Sequence, residues 1–421
     1  RLLWRDIELP VLGKDEVCIR VKATGLNFRD VMWTMGLLPE EALENGFSGP
    51  SLGLECSGVV ESVGANVSEV KVGDEVIAFA PSCFSTHVVT NKTAVYVKPS
   101  HLSFEQAASI PVAFFTAWYA IKYLARAKKA EKILIHGAMG GVGLAALQIA
   151  SLLGLEVFAT AGSDVKRNLL KALGVQHIYD SRSLAFADHI LADTQGKGVD
   201  LILNSLAGQG AEKSLAVLAP FGRFLELGKR DFFEDNPLFL RPFSQNLSYF
   251  GIDLDQLLVQ QPELAKELFT EMLEHFKNKT LRPLPYSVYQ AEDVVKAFQA
   301  MQASQHIGKI VITYEDSFHN SNQRETEQLA LRSDRTYLIT GGLGGLGLAV
   351  AQDLSKDGAK TIVLVSRRQQ LTCLQEQAIK QMQREGTSVY VFHEDVSSEH
   401  FENKLDELLV NLPPLGGVIH A

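Results

Sequence analysis

Twice in this chain a run of aliphatic and β-branched residues leads into a glycine-rich loop and then directly into an apolar helical stretch. The first is Ile133-Leu-Ile-His-Gly-Ala-Met-Gly-Gly-Val-Gly143, with a predicted helix from Gly143 to Leu153. The second is TYLITGGLGGLGLAVAQDL, whose loop runs from Thr340 to Gly347. Such a unit needs a parallel neighbour strand and a crossover helix, so it commits its surroundings to an α/β layer fold. The loop glycines allow the backbone to approach a diphosphate and the helix to pack closely on the strand, while the helix N-terminus offers free N–H groups. In the first loop, Gly137, Ala138, Met139, Gly140, Gly141, Val142 and Gly143 are the candidate cradle, with Ala138 in place of the usual first glycine. The competing reading is a tight turn with no ligand.

The strand after the first loop ends Thr160-Ala161-Gly162-Ser163, where binders of NAD usually place an acid for the ribose hydroxyls. The missing acid favours NADPH, with Ser163, Lys166 and Arg182 as candidates for its 2′-phosphate. Asp164 lies close by and works against that choice. Lys166 and Arg182 as plain surface charges is the alternative.

The text before about residue 104 is different. EVCIRVKATGL, GVVESVGANV, GDEVIAF and STHVVT are short β-type runs split by turn residues. FEQAASIPVAFFTAWYAIKYL then reads as helical, strands alternate with helices, and residues 285–313 return to strand-like text ending GKIVITY. EDSFHNSNQRETEQ is polar and aperiodic, which predicts a linker over 314–333. A length of 421 residues suits two or three domains. The 21% charged residues and the absence of a long apolar run exclude a membrane span, and a net charge of −9 argues against nucleic acid. Cys18, Cys56, Cys83 and Cys373 are far apart and form no CxxC pair, so neither a zinc lobe nor a disulfide framework is expected, and a reducing cytoplasm fits. The opening RLLWRDIELP has no Met and no leader, so the chain reads as cut from something longer.

GLNFRDVM, LGLECSGVV, IPVAFFTAWYA, HGAMGGVGLAALQIA, LNSLAGQG, GRFLELGKRD and HIGKIVIT, in this order and spacing, resemble the enoyl reductase domains of type I polyketide synthases and animal-type fatty acid synthases. These are medium-chain dehydrogenases/reductases. The resemblance covers about residues 1–313 and implies a GroES-like β-rich substrate domain (1–103, completed by 285–313) with a Rossmann NADPH-binding domain inserted over 104–284. It implies no metal, because LGLEC stands where the zinc enzymes have a Gly-His-Glu stretch. It also implies hydride transfer from NADPH to an enoyl thioester carried on the phosphopantetheine arm of an acyl carrier protein, with the other synthase domains as partners. Nothing in the sequence fixes an oligomeric state.

By that resemblance Asn27 lines the nicotinamide end, with an Asx turn holding the loop as the equal alternative. Lys166 is a proton donor or phosphate ligand, the second being preferred. Asn204, Gly308 and Lys309 fall on cofactor-binding stretches. Many relatives carry a Tyr before Pro39 and an acid in the triplet Leu184-Ala185-Phe186; here Leu38 and Ala185 stand instead, and the proton donor is open. Cys56, His136, Trp118 and Tyr119 read as packed residues, with pocket wall as a second reading for the two aromatics.

Thr340, Gly341, Gly345, Leu346 and Gly347 fit the Thr-Gly-x-x-x-Gly-x-Gly loop of short-chain dehydrogenases. Ser366, Arg367 and Arg368 end the next strand and suit a 2′-phosphate, and Asp395 and Val396 match the position beside the adenine. Residues 334–421 therefore resemble the first part of a ketoreductase, a partial second Rossmann-type unit without the family's catalytic Ser and Tyr. Two other readings compete: a free-standing quinone or enone oxidoreductase, and a non-catalytic scaffold remnant.

Overall fold

The computed structural model describes residues 2–39, 46–237, 240–304, 306–314, 331–368, 370–398 and 400–420. Most of the expected linker, 315–330, lies outside the described residues. The chain divides into two compact units, one built on Ile7–Phe318 and the other on His319–Ala421.

The first unit begins with an antiparallel sheet. Its strands are β1 (Glu16–Leu26), β2 (Glu55–Val63), β3 (Glu75–Phe79), β4 (His87–Asn91) and β5 (Val95–Val97). β-Branched residues and Gly, Asn and Asp turns drive this, as their sequence pattern predicts. Helix Phe104–Ala108, capped by Ser103 and Gln106, packs on β1 and β2.

Then the pattern switches. β6 (Lys132–Ile135), β7 (Glu156–Ala161), β8 (His177–Asp180), β9 (Val199–Asn204), β10 (Leu218–Glu226) and β11 (Ser248–Gly251) form one parallel sheet in the order β11-β10-β9-β6-β7-β8. The order reverses between β6 and β9, so a crevice opens at the carboxyl ends of those strands, where open α/β sheets bind ligands.

The chain then returns to the first sheet. β12 (Tyr286–Gln290) and β13 (Lys309–Thr313) pair in parallel, and β13 runs antiparallel to β1 with Ala23 opposite Thr313 and Leu26 opposite Ile310. The strand-like reading of 285–313 needs one correction. Helix Val294–Gln302 separates the two strands and buries Val294, Ala297, Phe298 and Met301, an i, i+3, i+4, i+7 stripe.

The two sheets share one apolar core. Phe269, on helix Pro262–Lys277, is fully buried and meets Phe79, Tyr96 and Phe115 at ring-centroid distances of 5.2, 4.3 and 5.4 Å. It thus joins strands of the first sheet to helix Pro111–Trp118.

The second unit is a four-stranded parallel sheet, β14 (Thr336–Thr340), β15 (Thr361–Val365), β16 (Ser388–Phe392) and β17 (Leu415–His420), ordered β16-β15-β14-β17. Helices Gly345–Lys356 and Cys373–Arg384 pack on it. β17 pairs with β14 alone among the described residues, and its Leu415 and Val418 are exposed.

Truncating Phe269 removes a ring that three others pack against. Phe269→Ala should cost about 3–5 kcal/mol of stability, read as a lower midpoint of thermal unfolding for the first unit. An unchanged midpoint would show that the core tolerates the void.

Candidate active site

The glycine loop is shaped by two close approaches. Gly137 takes φ +59°, the left-handed turn that glycine allows, and Ala138, in place of the usual first glycine, is simply buried. A Cβ on Gly143 would lie 2.5 Å from Gly137 O, which is why the helix can begin so near the strand. Helix Gly141–Leu153 starts slightly ahead of its predicted start at Gly143, and the N–H of Leu144 is already bonded to Gly140 O. Around Gly140 the added Cβ would meet only Gly137 O at 3.3 Å, leaving its outer face open.

A cavity of about 330 Å³ lies against this loop. Gly137, Met139 and Gly140 line one part and Ser163, Lys166 and Arg182 another. The structure thus brings together the three residues expected at the 2′-phosphate. Ser163 caps helix Asp164–Ala172, its hydroxyl accepting from the N–H of Lys166. Partial burial, then the neighbouring Arg182, push the Lys166 ammonium below its ordinary value. A cation held beside another cation is stabilised by an anion between them. Asp164 does not spoil this, because its carboxylate pairs with Arg167 at 2.6 Å. One participant was missed in the sequence: Ser304 O accepts a hydrogen bond from the Lys166 ammonium at 3.0 Å.

Asn27 is not turned outward. Its amide nitrogen donates to Glu55 Oε1 at 2.8 Å and to Gly25 O at 3.4 Å, and its amide oxygen accepts from Lys309 Nζ at 2.7 Å. Its backbone N–H reaches Asp30 Oδ2 at 2.9 Å, the start of helix Phe28–Thr34. These bonds tie the Asn27 side chain to Glu55 and Lys309. Lys309 is likewise internal at its charged end, bonded to Leu26 O, Asn27 and Glu55. Gly308 does meet the glycine loop: its N–H donates to Met139 O at 3.2 Å and it bridges to Gly140.

Asp30 is buried, and burial pushes its carboxyl up to about 6 despite the N–H groups of Gly53 and Asn27. Asn204 is also an internal support: its amide donates to Glu226 Oε2 at 2.6 Å and Leu206 O at 2.8 Å. His136 is packed between Thr160 and Ser214, and burial holds it down at about 3. Cys56 and Trp118 are core; Tyr119 stacks on Tyr123. Leu38 is buried, and Ala185 precedes helix Phe186–Asp193.

In the second unit the loop repeats the same geometry. Gly341 takes φ +66°, and a Cβ on Gly347 would lie 2.5 Å from Gly341 O. Thr340 Oγ1 is 2.6 Å from His420 Nδ1. At the ends of β15 and β16, Arg367 stands 3.9 Å from Asp395, and Arg368 donates its N–H to Ser366 Oγ. Arg367, Arg368, Leu346 and Val396 are exposed, whereas Gly345 leads the helix.

Glu226, at the end of β10, has both oxygens bonded, to Asn204 and to the N–H of Gly228 at 2.6 Å, yet burial pushes it up to about 7. An acid whose folded value lies above its ordinary 4.5 is favoured neutral by folding. Its contribution is complete below about 4.5 and is lost as pH rises through about 7. Glu226→Gln cannot ionise, so its stability relative to wild type should improve between pH 5 and 8, by about 2 kcal/mol at roughly 1.4 kcal/mol per unit. Chemical denaturation of both proteins across that range measures it; a constant difference would place the titration elsewhere.

Residues 13–110 match the alcohol dehydrogenase GroES-like domain family, 173–312 the zinc-binding dehydrogenase family and 335–421 the KR domain family. Cys18, Cys56 and Cys83 are buried free thiols, and among the described residues no group of three or more His, Cys, Asp or Glu side chains could hold a metal ion. No helix among them is long and apolar enough to cross a membrane. The mycocerosic acid synthase-like polyketide synthase of Mycobacterium tuberculosis (strain ATCC 25618 / H37Rv) is 39% identical over 97% of this chain, which spans only 19% of that protein. Two solved structures cover 74% of this chain and are themselves 95% covered: CurK enoyl reductase at 39% identity and TM-score 0.68, and the CurF ER cyclopropanase of the curacin A pathway at 37% and 0.68. With the substrate-type sheet, the doubly wound sheet and the glycine loop all in place, the chain belongs to the enoyl reductases of polyketide synthases, within the medium-chain dehydrogenases/reductases, and continues into ketoreductase sequence.

Proposed function

We propose that this chain reduces α,β-unsaturated acyl thioesters, presented on the phosphopantetheine arm of an acyl carrier protein, at the expense of NADPH. The observation that carries the reading is the cavity with the glycine loop at one part and Ser163, Lys166 and Arg182 at another. Its shape and charge fit a dinucleotide with a 2′-phosphate: an open backbone at Gly140, a helix N-terminus for the diphosphate, and two cations without an acid at the end of β7. NADPH, when bound, supplies the hydride.

The protein's own part is positional and electrostatic. Gly137–Gly143 hold the diphosphate against the helix N-terminus. Ser163, Lys166 and Arg182 hold the 2′-phosphate, with Ser304 O accepting from the Lys166 ammonium. Gly308 keeps the loop registered against β13. Negative charge that develops on a thioester oxygen needs nearby donors, and backbone N–H groups supply these without a metal. Neither Leu38 nor Ala185 can give a proton, so the α-carbon is protonated by another group or by water. In the second unit, the Thr340–Gly347 loop with Arg367, Arg368 and Asp395 forms the adenosine side of a further NADPH site of ketoreductase type.

The direct test is oxidation of NADPH with crotonyl thioester as acceptor. Turnover supports the reading; a preference for small quinones would favour the free-standing oxidoreductase, and no turnover with NADPH bound would favour the scaffold. A second measurement addresses the phosphate. Lys166→Ala removes one charge-assisted contact of roughly 1.5–3 kcal/mol, so NADPH affinity should fall at least about tenfold while NADH is unaffected. Equal weakening of both would remove Lys166 from the phosphate site.

A further inference from the structure

Four elements meet end to end at one buried carboxylate. β1 finishes at Leu26, β2 begins at Glu55, β13 begins at Lys309, and helix Pro111–Trp118 begins beside them. Glu55 Oε1 accepts from Lys309 Nζ at 2.5 Å and from the Asn27 amide at 2.8 Å, and Oε2 accepts from the N–H of Val112 at 2.8 Å. Lys309 Nζ also reaches Leu26 O at 2.9 Å and Asn27 Oδ1 at 2.7 Å. The Lys309 and Glu55 side chains are 4% and 0% exposed. Gly25 makes room for the pair, since a Cβ there would collide with Glu55 Oε1.

The cluster is one residue away from the glycine loop. Gly308 bridges to Gly140, and the Lys309 stem lies 3.1 Å from where a Cβ of Gly141 would be. On its other side the same cluster anchors Asn27, which opens the NFRD segment. We propose that Glu55, with Lys309 and Asn27, is a positioning device for the reductase reaction: it fixes the register between the glycine loop and helix Phe28–Thr34, whose N-cap is Asn27. This rests on the reductase reading of the site. A buried pair of this kind adds little net stability, because desolvation offsets the attraction, but any register that separates the charges leaves one of them unpaired and buried. Its value is therefore geometric, and small misplacements of a reacting centre are costly in rate.

The test separates geometry from stability. Glu55→Gln/Lys309→Met removes both charges together and should keep the melting temperature within a few degrees of wild type. Hydride transfer, measured in single turnover at saturating NADPH with crotonyl thioester, should nonetheless fall on the order of 10–100-fold, with NADPH affinity changed less than about threefold and a larger primary isotope effect from deuterated cofactor. A double variant that is stable and fully active overturns the proposal. Should it fail to fold, Lys309→Arg decides: the charge is kept but the planar guanidinium is larger than the ammonium it replaces, so a folded protein with roughly tenfold slower transfer is expected, and full rate overturns the idea. An inactive wild type would sink the reductase reading alone. Bound-NADPH fluorescence lifetimes then still test positioning, a single lifetime in wild type becoming heterogeneous in the double variant; identical lifetimes in both would overturn it.

Discussion

The pairing of β13 with β1 is the contact on which the first unit depends. It joins residues nearly three hundred positions apart, since Lys309 and Leu26 are separated by 283. Everything the chain places between β5 and β12, including the whole parallel sheet, is enclosed by that closure. Because β13 also carries Gly308 at its head, the same closure sets the back wall of the glycine loop. A sheet that finishes its hydrogen bonding in this way is stitched to the nucleotide domain by backbone bonds, while Phe269 and its ring partners do the same by packing.

Local features were legible in the sequence because their causes are local. Strand alternation, the helix after each glycine loop and the phosphate candidates at Ser163, Lys166 and Arg182 all follow from residues within a few positions of one another or from one family resemblance. The Glu55–Lys309 pair was not legible, since 254 residues separate its members and only the fold brings them together. One clue stood in plain sight: a charged residue in the apolar run LGLEC must find a partner if that run is buried. Asn27 shows the opposite case: no sequence pattern separates its two readings, and its bonds to Glu55 and Lys309 come from residues far along the chain. Helix Val294–Gln302 carried its own apolar stripe, which the strand-like residues on either side obscured.

The residues that depart from relatives are as informative as those that match. By the family resemblance Leu38 and Ala185 stand where many relatives carry a Tyr and an acid, while the loop, the cations and the shared core are in place. The CurF relative, similar over the same span, is described as a cyclopropanase.

The inserted arrangement also has a cost in time. A ribosome adds roughly 5–20 residues per second, so the 283 positions between Leu26 and Lys309 take on the order of 15–60 s to emerge. Throughout that interval the edge of β1 that β13 will cover has no partner from this part of the chain, while the parallel sheet, with its consecutive strands and helices, can form. The nascent chain therefore holds an unpaired strand edge for a long stretch of synthesis, the state in which sheets join wrongly with neighbouring copies. Slowing elongation across the parallel sheet would lengthen that exposure rather than shorten it.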